Sequence, residues 1–133
     1  MNRATRAALA LVLGLALAPG ARAVPPVVAQ VEIDYLLDKV AGSGCEFSRN
    51  GIWYDGARAV GHLQYKYADL VASNLIATAE DFIERAATRS TVSGKSYLIR
   101  CKGAEPIASA QWFLEQLAGF REARRPMMDY QRR

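Results

Sequence analysis

The chain has 133 residues, with 17 Lys and Arg, 13 Asp and Glu, a formal net charge of +4 and two cysteines. The basic excess sits at the ends: without residues 1–23 the balance is 14 basic against 13 acidic, and from Val24 to Phe120 it is 9 against 11. A near-neutral body lacks the positive surface that phosphate-backbone binding needs, which excludes nucleic acid as a partner, and a body of this size builds one hydrophobic core.

Arg3 and Arg6, the apolar run Ala7–Ala18 and Ala21-Arg22-Ala23 have the pattern of a secretory signal cleaved after Ala23. The run is shorter than the roughly 20 apolar residues that span a bilayer, so the mature chain is expected to hold no transmembrane segment and to work in the periplasm or outside the cell. Val24-Pro25-Pro26 then leads into Val31, Ile33, Leu36, Leu37 and Val40, whose spacing predicts a first helix ending at Gly42. Asn50-Gly51 between Cys45–Arg49 and Ile52–Tyr54 predicts a hairpin, because a tight two-residue turn needs positive φ at both central positions. That turn sets Arg49 opposite Ile52, Ser48 opposite Trp53 and Phe47 opposite Tyr54, with Cys45 and Phe47 facing the core.

Val60, Leu63, Tyr67 and Leu70 predict a second helix over about 57–73. Thr78, followed by Glu80 and Asp81, predicts the capped start of a third, which ends near Thr88. Alternation of Tyr97, Ile99 and Cys101 with Ser96, Leu98 and Arg100 predicts a third strand. Pro106 suits a first helical turn, so a fourth helix is expected through Ile107, Phe113, Leu117 and Phe120 to about Arg124, with residues 126–133 as a flexible basic tail. The expected fold is α+β: about four helices packed on a small antiparallel sheet of one hairpin and one strand, in a single domain over 24–125. Export to an oxidising compartment predicts a Cys45–Cys101 disulfide, worth roughly 4 kcal/mol for a loop of about 56 residues.

No residue set predicts catalysis, a metal or a cofactor. Ser93-Gly94-Lys95-Ser96 resembles the end of a phosphate-binding Walker loop, but position 89 is arginine where glycine is required, and a strand follows in place of a helix. Glu80, Asp81 and Glu84 fit the start of a helix and its solvated face. His62, the sole histidine, lacks metal companions at a zinc spacing and a carboxylate to orient it, and Arg58 and Lys66 one turn away lower its basicity. Trp53 falls on the sheet face opposite Phe47, where it is either covered by a helix or displayed as an aromatic contact; burial is favoured. Arg49, Asn50, His62, Lys66, Ser93, Gly94 and Lys95 remain as a candidate binding surface.

Phe47-Ser48-Arg49-Asn50-Gly51, His62-Leu63 with Lys66, Thr78–Ile83, and Ser93-Gly94-Lys95 with Tyr97 occur in an order that resembles the YfeK-like family of small exported bacterial proteins, a domain of unknown function. The resemblance spans about residues 31–120. It implies export, small size and mixed helix and strand content, and brings no reaction, cofactor or ligand. The leading expectation is a non-enzymatic binding module that meets an envelope protein or a cell-wall component. Two alternatives stand beside it: a small hydrolase or transferase with His62 as base and Ser90, Thr91 or Ser93 as nucleophile, and a self-assembling envelope module.

Overall fold

The computed structural model describes residues 24–133. Residues 1–23, where the sequence predicts a leader, lie outside the described residues. Helix α1 (Val27–Gly42) begins directly after the proline pair, a turn earlier than the apolar spacing suggests. Proline is tolerated where a helix starts, and the Pro26 carbonyl accepts the first bond, from the Gln30 amide at 3.0 Å. The helix buries Ala29, Ile33, Leu36, Leu37 and Val40 together with Glu32.

Strands β1 (Glu46–Arg49) and β2 (Ile52–Tyr54) pair with Phe47 opposite Tyr54, Ser48 opposite Trp53 and Arg49 opposite Ile52, the register that the two-residue turn dictates. Asn50 and Gly51 have φ of 52° and 81°. The chain then passes hard against the end of α1. A Cβ on Gly56 would lie 2.5 Å from the Val40 carbonyl oxygen, so only glycine allows helix α2 (Gly56–Ala72) to start there. Asp55 caps α2 by accepting from the Arg58 amide at 2.9 Å.

Helix α3 (Ala79–Ala86) opens on a reciprocal cap in which the Thr78 hydroxyl accepts from the Asp81 amide while the Asp81 carboxylate accepts from the Thr78 amide. Strand β3 (Leu98–Arg100) pairs antiparallel with β1, placing Ile99 beside Phe47 and Arg100 beside Glu46. A fourth strand, β4 (Ile107–Ala108), follows, and the sheet order is β2-β1-β3-β4. Here the sequence expectation is corrected. Residues after Pro106 first add a short edge to β3, and helix α4 (Ser109–Gln131) starts only at Ser109. At its other end α4 continues through Pro126 to Gln131, past the expected stop at Arg124, with every residue from Arg121 onward exposed. The helix bond that Pro126 removes leaves the Glu122 carbonyl in water, which can satisfy it.

Among the described residues, the four helices pack on this four-stranded antiparallel sheet as a small α+β domain. Phe82, Phe113, Ile33, Leu36, Ile99 and Leu117 are the large side chains fully removed from water, each contributing roughly 1.5–3 kcal/mol. Phe113 meets Phe82 and Trp112 edge to face, and Trp112 meets Phe47 in the same way. The Cys45 and Cys101 sulfurs lie at disulfide distance, 2.02 Å, joining the start of β1 to the end of β3. Arg121 on α4 holds both oxygens of Glu32 on α1 at 2.8 Å and also binds Glu80 on α3. Trp53 is half-buried on the outer face of the sheet, with the Arg100 guanidinium 4.0 Å from its ring centroid and Arg100 paired in turn with Glu46. Its surroundings are thus a cation and a sheet neighbour, not the helix-lined core.

Candidate functional site

Where α2 crosses the inner face of β1, the two separate enough to leave a pocket of about 230 Å³. Its inner wall is apolar: Phe47 from β1, Ala59 and Leu63 from α2, and Phe113 from α4. Arg49 and Tyr54 from the hairpin, Arg58 and His62 from α2, and Tyr97 just before β3 supply its polar side. The period of 3.6 residues puts Arg58, His62 and, one turn on, Lys66 along one edge of α2, and the hairpin register brings Arg49 across to meet them. Ser48 and Ser109 complete the lining. No acidic side chain takes part.

The hydrogen bonds define a proton arrangement. Arg49 Nη1 stands 2.9 Å from His62 Nδ1 and 3.5 Å from Nε2, and His62 Nε2 stands 3.1 Å from the Tyr97 oxygen. A guanidinium only donates, so its shorter contact assigns the lone pair to Nδ1 and the hydrogen to Nε2, which is donated to Tyr97. Lys66 Nζ donates to the same phenol oxygen at 3.3 Å and to the Arg89 carbonyl at 3.1 Å. With two donors already on its oxygen, Tyr97 keeps its own O–H for an acceptor. His62 is therefore a neutral spacer that fixes Arg49 on one side and Tyr97 on the other.

Electrostatics agree with that assignment. Burial, then the charges of Arg49 and Lys66, push the His62 imidazole below its ordinary value, and burial with Arg49 does the same to the Lys66 ammonium. Burial pushes the Tyr97 phenol up, while Arg49 opposes the rise. Among the described residues, the ion pairs join Arg100 to Glu46, Arg121 to Glu32 and Glu80, and Arg125 to Glu122. None involves Arg49, Arg58 or Lys66. Instead Arg49 and Arg58 lie over the ring of Tyr54, at 5.6 and 5.5 Å from its centroid, and Lys66 lies 5.0 Å from that of Tyr97.

The seven residues singled out from the sequence fall into two groups. Arg49, His62 and Lys66 form the network at the pocket, although only Arg49 and His62 line it. Asn50 and Ser93 join elsewhere: the Ser93 hydroxyl donates to Asn50 Oδ1 at 2.5 Å and accepts from the Lys95 amide at 3.2 Å. Gly94, at φ 72°, closes the turn through its amide bond to the Ser90 carbonyl. These contacts tie the 90–95 loop to the hairpin tip, and its side chains do not line the pocket. Tyr97, Tyr54 and Arg58 were the missed members; the signal for Tyr97 was a phenol on the inward side of a strand, where its hydroxyl needs a partner. Among the described residues no three His, Cys, Asp or Glu side chains gather as a metal site, and no helix is long and apolar enough to cross a membrane.

A family model described as "Family of unknown function (DUF5329)" matches residues 27–121, and the chain belongs to that family. The matched span contains every residue that lines the pocket. No curated protein and no solved structure matches the chain.

Proposed function

We propose that this protein is a non-enzymatic binding module, exported to the cell envelope, whose pocket between α2 and the hairpin receives a ligand from the envelope, either a cell-wall component or a group presented by an envelope protein. The observation that carries the reading is the occupation of His62. Its single lone pair accepts from Arg49 and its single hydrogen goes to Tyr97, so it has no free site at which to take a proton from a nucleophile. The hydrolase or transferase alternative needs His62 beside Ser90, Thr91 or Ser93. None of these lines the pocket, and His62 bonds neither of the two serines that do. Export is supported by the leader pattern, by the cysteine pair at disulfide distance and by the resemblance to YfeK-like proteins.

Two measurements test the proposal. Titrating the folded protein with a library of small neutral and charged compounds, followed by amide NMR, is expected to move the signals of Arg49, Leu63 and Tyr97 together and to leave every compound chemically intact. Turnover of any compound, abolished by His62→Ala, would replace the binding reading with an enzymatic one. Intact mass of the native protein is expected to lack residues 1–23 and to show no free thiol.

A further inference from the structure

We infer that the pocket is a site for a small organic acid, a carboxylate or phosphate monoester on a single ring or a short apolar chain, with its oxyanion between Arg49, Arg58 and the Tyr97 hydroxyl. The inference rests on the binding-module reading and adds the chemical class of the ligand. Three features of the pocket select that class. The first is charge without a counter-charge: Arg49 and Arg58 converge on one tyrosine ring, Lys66 approaches from behind Tyr97, and no carboxylate pairs with any of them among the described residues. Gathering like charges at a partly covered site costs free energy in the empty protein, and an anion among them recovers it. The depressed basicity of His62 and Lys66 comes first from burial, and the charge of Arg49 adds to it in both.

The second feature is preorganisation. Arg49 is fixed by a hydrogen bond to a neutral imidazole, a partner that orients the guanidinium without neutralising it, so its remaining N–H donors keep their full demand for an oxyanion. Tyr97, which already accepts from His62 and Lys66, has only a hydrogen left to offer. Both sets of donors therefore call for an acceptor, and a carboxylate or phosphate presents nothing else.

Size and wall chemistry give the third feature. A cavity of 150 Å³ takes benzene, whereas drug-sized ligands need about 300–1,000 Å³; a pocket of about 230 Å³ falls between them. Phe47, Leu63 and Phe113 give that volume an apolar wall, which a bare inorganic anion would leave unfilled. A polyanion is disfavoured by the body around it, where acidic residues outnumber basic ones between Val24 and Phe120.

The test uses four probes against the folded protein by calorimetry and amide NMR: phenylacetate, phenyl phosphate, phenylacetamide and acetate. One of the two aromatic acids is expected to bind at least about tenfold more tightly than both phenylacetamide and acetate. Whichever acid binds better identifies the head group as carboxylate or phosphate. Arg49→Gln and, separately, the exposed Arg58→Gln are each expected to weaken the acid about tenfold while circular dichroism stays unchanged. Phenylacetamide binding as well as the acids would overturn the acid class and leave the binding module standing. Failure of both acids to shift any pocket signal would also overturn it, and the binding-module reading would then stand or fall on the compound library alone.

Discussion

Arg121 and Arg49 both carry a permanent charge into a partly covered place, yet Arg121 meets the carboxylates of Glu32 and Glu80 while Arg49 meets a neutral imidazole and the face of a tyrosine. The first arrangement is closed: Glu32, with a side chain only 9 % exposed, would be a buried unpaired charge without its arginine. Around Arg49 the arrangement is open, because every partner orients the charge and none cancels it. The difference separates a cation that holds helices together from one whose charge no carboxylate pairs with among the described residues.

The largest effect expected from this comparison is on stability at the closed end. Arg121→Met should cost about 2 kcal/mol in urea denaturation, less than a fully buried pair would because the arginine is half exposed, and replacing Glu32 with methionine as well should restore most of it. An unchanged midpoint in the single variant would break the comparison. Arg49→Gln should change stability by less than about 1 kcal/mol, since no ion pair is lost. In that variant the His62 imidazole should titrate nearer its ordinary value of 6.5, readable by proton NMR, because one of the charges that depress it is gone.

The smallest effect is the separation of two acid windows. His62, faced by Arg49 from β1, Tyr97 just before β3 and Lys66 from its own helix, is depressed. Its contribution to stability is therefore complete above pH 6.5 and is lost as the pH falls toward the lowered value. Glu80 is depressed by its hydrogen bond from Arg121, so its contribution is complete above about pH 4.5 and is lost only below that. His62→Gln should abolish the upper step and spare the lower; Glu80→Gln should spare the upper step and shrink the lower, whose remainder belongs to Asp81, held below its ordinary value by the backbone amides of Ala77 and Thr78. A single step common to all three proteins would show that the two regions do not titrate separately.

The parts of this fold that the sequence made legible are those set by neighbours along the chain. Asn50-Gly51 determines the hairpin register through backbone φ alone, and Thr78 with Asp81 determines the start of α3 through bonds spanning three residues. Strand β4 escaped because two residues carry no period, and Pro106 pointed to a helix that in fact waits for Ser109. The end of α4 escaped because a proline in water costs only one local bond. At the pocket, Arg49, His62 and Lys66 were legible only as three of seven residues of a wider candidate surface, and their companions depend on the packing of α2 across the sheet. His62 and Tyr97 stand 35 positions apart, and nothing local joins them. Conversely, Ser93, Gly94 and Lys95 drew notice as a motif and proved to belong to a turn braced on Asn50.

The Glu32–Arg121 contact spans 89 positions of a 133-residue chain, which governs the order in which this molecule can be assembled. Made from its N-terminus, the polypeptide presents α1 long before α4 exists to cover it, so Leu36, Ile33 and their neighbours cannot be fully buried until synthesis is almost complete. Only the last helix can seat its guanidinium on the first.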